Sequence, residues 1–118
     1  MLYCMSRESL GEFEQLVLLA IIHLTGSGDV YGVPIADEIE RRTNRRVARA
    51  AVYIALRRLE HKGLVATWMG DPTQERGGKS RRCVKVTRTG LRALRECRLT
   101  ANSMWRGLDP RLEKLRSW

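Results

Sequence analysis

Residues 41–65 read RRTNRRVARAAVYIALRRLEHKGLV, a basic entry followed by an amphipathic stretch that ends at a glycine. Val52 and Leu59 belong to an apolar stripe at helical spacing, and Gly63 stands where a left-handed C-cap belongs. The pattern predicts a helix over 49–62 with one buried face. Its opposite arc carries arginines, so the same helix presents cations to its surroundings.

Two short strands are predicted after this helix. Residues 64–69 (LVATWM) and 82–87 (RCVKVT) are rich in apolar and β-branched side chains, and the second alternates apolar and polar positions. Residues 70–81 connect them and hold paired glycines within a basic run. The pattern predicts a β-hairpin with a cationic tip, the wing of a winged helix.

The first helix is predicted over about 10–24, where apolar residues follow a helical period. Ser9 and Glu12 have the spacing of a capping box ahead of it. This helix is apolar on more than one face. We therefore expect a partner subunit to cover its second face, including Phe13 and Val17.

The remaining two helices have recognisable ends. Residues 31–34 (YGVP) begin the second helix, because proline suits a first helical turn, and Asn44 follows its end. Thr87 is placed to cap a last helix over about 88–106. Its apolar residues fall at alternating three- and four-residue steps, interrupted once by Arg98, which is the pattern of a pairing seam. The predicted seam and its flanks contain Leu91, Leu94, Ala101, Met104, Trp105 and Leu108.

Charge is segregated along the chain, whose formal net charge is +9. Residues 1–40 hold one Lys or Arg against seven Asp or Glu. Residues 41–88 hold 14 against three, and residues 89–118 hold seven against three. A basic face concentrated on the helix and the hairpin suits a long polyanion, so nucleic acid is the expected partner.

These elements place the chain in the α+β class, mainly α with a small β hairpin. Their order is that of a winged helix-turn-helix with a C-terminal dimerisation helix. We divide the chain into a flexible tail over 1–9, a winged helix DNA-binding domain over 10–88, and a dimerisation helix with a short terminal segment over 89–118.

Four fragments in order resemble the PadR family of bacterial transcriptional regulators. They are residues 10–24 (LGEFEQLVLLAIIHL), Tyr31-Gly32 with Ile35-Ala36, residues 52–65 (VYxxLxxLExxGLV), and residues 77–90 with GGKxRR, VT and a final glycine. The resemblance covers about residues 10–108. It implies a homodimer that binds an operator and represses nearby genes, with the C-terminal helix pairing the subunits.

The chain departs from this family at the start of the third helix. Residues 48–51 (ARAA) stand where the family carries a serine, a small residue or proline, a glycine and a hydroxyl residue. The polar N-cap is lost, at a typical cost of about 1 kcal/mol. Either Arg46 and Arg49 anchor the DNA backbone instead, or operator reading is weaker than in the family.

Ten residues are expected to face double-stranded DNA. Ala50 and Ala51 let the helix approach the major groove and meet thymine methyl groups, and Tyr53 can reach a phosphate or a base edge. The alternatives are core packing of Tyr53, a solvated Arg57 and a merely flexible basic wing. The full set is Arg46, Arg49, Ala50, Ala51, Tyr53, Arg57, Arg76, Lys79, Arg81 and Arg82.

Other chemistry has weaker signals. Trp68 and Trp105 suggest a pocket for a small hydrophobic effector, with simple packing as the alternative. The three cysteines have no disulfide or zinc spacing, so no metal is expected, and no cofactor motif is present. GGKS at 77–80 lacks the spacing of a P-loop, and no nucleophile and base are paired, so an enzyme is not expected.

The expected function is that of a sequence-specific regulator, a repressor that binds a two-fold operator as a homodimer through helix 49–62 and wing 70–82. Protein contacts by a winged helix, binding of structured RNA and non-specific nucleic-acid binding stay open as alternatives. No apolar run spans a bilayer and no signal peptide is recognisable, so a cytoplasmic, nucleoid-associated protein without membrane contact is expected.

Overall fold

The computed structural model describes residues 10–70, 81–108, 110, 112 and 114. It contains four helices and one antiparallel hairpin, which confirms the predicted α+β winged helix. In chain order the elements are α1 (Glu12–Leu24), α2 (Gly32–Thr43), α3 (Arg49–His61), β1 (Val65–Met69), β2 (Arg82–Val86) and α4 (Arg88–Trp105). The predicted tail over 1–9 and most of the hairpin connection lie outside the described residues.

The start of α1 differs from the predicted one. Gly11 is the N-cap, and its backbone N–H donates to Glu14 Oε1 at 3.1 Å. The reciprocal acid of the cap is therefore Glu14, not Glu12, and the helix begins two residues later than predicted. Ser9, the predicted capping residue, lies outside the described residues.

The turn between α2 and α3 is built around one carboxylate. Asn44 takes the left-handed conformation (φ 57°) and ends α2, with its N–H donating to the Glu40 carbonyl. The Val47 N–H then donates to Glu40 Oε2 at 2.7 Å. Glu40 thus satisfies a turn N–H that no backbone partner takes, and this contact fixes where α3 begins.

The core lies between the three helices and is closed by the hairpin. Each fully buried aliphatic side chain there contributes about 1.5–3 kcal/mol relative to leaving it exposed. The fully buried residues are Val17, Leu18, Ile21, Ile35, Val52, Leu59 and Cys83. Val17 was predicted to meet a partner subunit, and that prediction is wrong, because its side chain is completely buried in the core of its own subunit. The exposed apolar residues of α1 are Leu19 and Ile22.

The hairpin is tied to the helices at several points. Val65 pairs with Val86 and Met69 with Arg82 in an antiparallel register. On the outer edge of β2, the Val84 N–H donates to the Val30 carbonyl at 2.9 Å, so the segment before α2 adds one strand-like bond. These bonds orient the wing relative to the helices.

The join between α3 and α4 is compact. α3 ends in a Schellman motif, with Gly63 at φ 76° and the Leu64 N–H donating to the Leu59 carbonyl. Thr87, the predicted cap of α4, accepts from the Gly90 N–H at 3.0 Å and donates to the Gly63 carbonyl at 2.8 Å. One threonine therefore caps the last helix and fastens it to the end of α3.

Gly90 is expected to tolerate no side chain. A Cβ at this position would lie 2.2 Å from the Leu64 carbonyl oxygen, which is backbone and cannot move aside. The clash outweighs the better helix propensity of alanine, so Gly90→Ala should lower the free energy of unfolding by about 1–3 kcal/mol in urea denaturation. The exposed neighbour substitution Thr89→Ala is the control and should not destabilise. Equal stability of Gly90→Ala and wild type would contradict this packing.

α4 projects from the domain. Of its residues only Gly90 is buried in the subunit, and the molecule extends 55 × 38 × 24 Å. Its radius of gyration is 16.8 Å, whereas about 13–14 Å is usual for a chain of this length. The second half of α4 is therefore not covered by the described part of its own subunit.

Candidate nucleic-acid interface

The outward face of α3 is the centre of the candidate site. Val52, Ala55 and Leu59 turn inward and are buried, and the opposite arc is exposed. Ala50, Tyr53 and Arg57 lie on or beside the exposed arc, as predicted from the periodicity. Ala51 is half-buried at its edge, and Arg46 and Arg49 are exposed at the entry to the helix.

The first turn of α3 has no side-chain cap. Ala48 occupies the N-cap, and no acidic residue stands in the first turn. The N–H groups of Ala51 and Val52 both donate to the Ala48 carbonyl. The earlier N–H groups of the turn and the positive end of the helix dipole are left available to an anion.

Tyr53 is both packed and exposed. Its ring lies over Gly32, where an added Cβ would be 2.6 Å from Cε1 and 2.8 Å from the hydroxyl oxygen. Half of the residue remains exposed, at 50%. Gly32 is therefore needed so that the tyrosine ring can pass over the start of α2. Tyr53 thus packs against its own subunit and also remains exposed to a ligand.

Two cations close to the ends of α3 are paired with acids of α1. Lys62 Nζ lies 3.0 Å from Glu14 Oε1, and Arg45 Nη1 lies 3.3 Å from Glu12 Oε2. In contrast, the guanidinium groups of Arg46, Arg49, Arg57 and Arg58 form no ion pair with the described residues. Two acids of α1 thus neutralise Arg45 and Lys62, whereas the four arginines along α3 keep their positive charge.

Glu38 shows the same pairing in a buried setting. Its carboxylate receives hydrogen bonds from Arg42 and from Arg41, the latter at 2.8 Å, and only 7% of the residue is exposed. The hydrogen bond from Arg42, then that from Arg41, lowers the pKa of Glu38 below its ordinary value. These two arginines are therefore each paired with a carboxylate of their own helix.

The Glu38 pair should make stability depend on acid pH. A carboxyl with a lowered folded-state pKa stabilises the fold above its unfolded pKa and loses that contribution as pH falls through the folded pKa. Wild type should therefore unfold at higher temperature than Glu38→Gln at pH 7, and the gap should narrow as pH drops below 4.5. Asp37→Asn, at an exposed position of the same helix, is the control. A gap independent of pH would contradict the ion pair.

The two wing arginines at the base of β2 have different environments. The Arg81 guanidinium stacks on the Tyr31 ring, 4.4 Å from Cζ to the centroid, and its Nε is buried without a hydrogen-bond partner in the described residues. Arg82 is exposed, and its Nη1 donates to Thr67 Oγ1 at 3.0 Å. Arg76 and Lys79, the predicted contacts of the wing tip, lie outside the described residues.

An apolar stripe runs along one side of α4. We call it the α4 stripe, and it comprises Ala93, Leu94, Cys97, Ala101, Met104, Trp105 and Leu108. Its first part, through Cys97, packs against the core of its own subunit. Its second part is open, with Met104 73% and Trp105 53% exposed. Of the predicted seam, Leu94 belongs to the covered part, and Leu91 and Arg98 fall at the edge of the stripe.

The two tryptophans suggested for an effector lie on different elements. Trp68 is on β1, where Lys85 Nζ lies 6.0 Å from its ring centroid. Trp105 is in the last turn of α4, about 25 Å along that helix from Arg88. Both are about half exposed. A pocket formed by both rings within one subunit is therefore not supported.

Ile54 and His61 also belong to the exposed arc of α3, where the helical period places them, but neither was counted among the expected DNA contacts. Both are exposed, and Ile54 stands one turn after Ala50. The helical period alone placed them there, but their side chains are not those usually sought in a DNA contact. The pairing of cations with acids also escaped the sequence, because the partners lie up to 48 residues apart.

Comparison with known proteins identifies the family. The chain belongs to the PadR-like family of transcriptional regulators, whose family model matches residues 20–96. A search of curated proteins gives no match. Membership supports DNA as the partner and regulation of transcription, not catalysis, as the activity.

Solved structures share the fold. A PadR family regulator from Eggerthella lenta is 27% identical, with a TM-score of 0.64 and coverage of 86% of this chain and 87% of that one. One from Clostridium difficile is 21% identical, with a TM-score of 0.60 and coverage of 89% and 98%. One from Bacillus cereus is 19% identical, with a TM-score of 0.62 and coverage of 90% and 92%.

In the described part of this chain, no helix is long and apolar enough to cross a membrane.

Proposed function

We propose that the protein represses transcription by binding a two-fold operator on the chromosome as a homodimer. The observation that carries the proposal is the positive charge of Arg46, Arg49, Arg57 and Arg58 around the exposed face of α3, because none of these side chains forms an ion pair with the described residues. A helix with a small-residue front and an arginine rim fits a major groove bordered by phosphates.

The open end of the α4 stripe supports the homodimer. Met104 and Trp105 are large apolar side chains exposed on a projecting helix, and a second copy offers the same surface in two-fold symmetry. Leu19 and Ile22 on α1 add exposed apolar surface that a second subunit can cover. Two wings and two recognition helices would then face adjacent turns of DNA.

The test is fluorescence anisotropy of the purified protein on its own upstream DNA and on scrambled DNA of the same composition, across a salt series. Tight binding with a clear preference for the native fragment is the expected result. Equal, steeply salt-dependent binding to both fragments would overturn operator reading and favour non-specific binding, which the alanines at the start of α3 leave as the second candidate. Absence of binding to both would overturn DNA binding itself.

Arg81 and Arg82 should differ in this assay. Because Arg82 is exposed, Arg82→Met should reduce the slope of log affinity against log salt by about one. Because Arg81 is stacked on Tyr31, Arg81→Met should weaken binding about three- to tenfold through loss of wing orientation, with the slope unchanged. Tyr31→Leu should reproduce the effect of Arg81→Met. A slope that falls by about one in Arg81→Met would show that this arginine contacts phosphate instead.

A further inference from the structure

Ile54 is an apolar residue in the middle of a basic surface. It is 53% exposed, more than Tyr53, although Val52, two residues earlier, and Ala55, the next residue, are both buried. Arg57 and Arg58 follow it within one turn and are also exposed. The core of the subunit does not explain this side chain, since the inward stripe of α3 is complete without it.

The first turn of α3 carries no hydroxyl or amide side chain that could read a base beside Ile54. Ala50 lies one turn earlier, and Ala48 and Ala51 are equally short. Aliphatic side chains can discriminate between base pairs in the major groove in one way, by contact with the C5 methyl group that thymine alone carries. Ala50 lets the helix approach closely, and Ile54 extends the apolar strip by one turn.

We propose that Ile54, together with Ala50, reads thymine methyl groups in each half of the operator. The arginines on both sides hold the phosphates, which gives affinity without sequence information. The strip of Ala50 and Ile54 then adds selectivity for thymine. This inference rests on the proposed DNA binding and deepens it, because it names the base that the helix recognises.

A second surface competes for Ile54. The side chain also borders a cleft of about 590 Å³ between α3 and the start of α1, beside Phe13 and Glu14. A role confined to that cleft would leave the response to DNA methyl groups untouched. The experiment must therefore measure the methyl group itself and not only the affinity of an Ile54 variant.

The experiment replaces thymine by deoxyuridine, one base pair at a time, in the shortest native upstream fragment that wild type binds. Deoxyuridine removes the C5 methyl and keeps the hydrogen-bonding groups. At one or more symmetric positions, wild-type affinity should fall about three- to tenfold. Ile54→Ala should bind the thymine fragment weaker by a similar factor, and at one or more of these positions it should lose nothing further on deoxyuridine. Ile54→Val should retain part of the response.

The controls separate this inference from the proposed function. Leu99→Ala removes an equally exposed aliphatic side chain, 54% exposed on α4, and should keep the full deoxyuridine response. Thermal unfolding of Ile54→Ala should match wild type, which shows that the fold is intact. If wild type binds no fragment, the proposed function fails. If wild type binds but no deoxyuridine position matters, or if Ile54→Ala keeps the full penalty at every position, the reading of thymine methyl groups by Ile54 is overturned while DNA binding stands.

Discussion

Trp105→Arg is expected to yield folded monomers whose affinity for a two-fold operator is greatly reduced. A buried tryptophan at an interface typically contributes about 2 kcal/mol or more, and a two-fold seam contains it twice, so the dimer should weaken roughly a thousandfold. The half-exposed indole sits in the open part of the α4 stripe, away from the core. Its loss should therefore leave the stability of the domain unchanged. Light scattering across protein concentrations measures the result.

Leu99→Arg is the matched control for this substitution. Leu99 is as exposed as Trp105 but lies on the opposite side of α4, outside the stripe. The same charge introduced there should leave the dimer intact. A Trp105→Arg protein that remains dimeric, with Leu99→Arg also dimeric, would refute the seam. Leu94 is less suitable for such a test, because it packs against the core of its own subunit.

Arg57→Glu is expected to weaken operator binding by about 10- to 100-fold. Arg57 is exposed on the outward arc of α3 and forms no ion pair with the described residues, so its charge is available to a phosphate or a base edge. Reversal removes that contact and adds repulsion, and the salt slope should fall by about one or more. Anisotropy on the native fragment at several salt concentrations gives both quantities.

Arg92→Glu changes the net charge by the same amount at an exposed position of α4 that lies away from the α4 stripe. It should alter affinity only slightly, because screening limits the reach of a charge to about 8–10 Å. Equal losses in both variants would mean that the net charge, not the face of α3, determines binding. That outcome would favour non-specific binding of nucleic acid by the basic surface.

Local patterns predicted most of the fold. Helical periodicity placed α3 and α4 to within a residue or two, and Gly63 and Thr87 mark the ends where the structure has a Schellman motif and a side-chain cap. These features depend on a few neighbouring residues, so they can be read from the chain. The start of α1 was misplaced because two acids near it have capping character.

Contacts between distant residues could not be predicted in the same way. Nothing in the sequence indicates that Gly32 lies under Tyr53, or that Gly90 meets the carbonyl of Leu64. The sequence also treated Arg81 and Arg82 as equivalent wing cations, whereas Arg81, just before β2, stacks on Tyr31 and Arg82, the first residue of β2, bonds to Thr67. Which cations are free to bind is decided by these tertiary partners.

In the proposed dimer, the attachment of α4 to the end of α3 through Thr87 couples the position of each recognition helix to the angle of its α4. About 25 Å of helix separates this attachment from Trp105, so a change of about 5° in the angle between the two α4 helices shifts each recognition helix by roughly 2 Å. The distance between half-sites is thereby converted into an angle at the far end of α4. We therefore expect an operator with one base pair more or less between its halves to be bound less tightly, even with every base contact preserved.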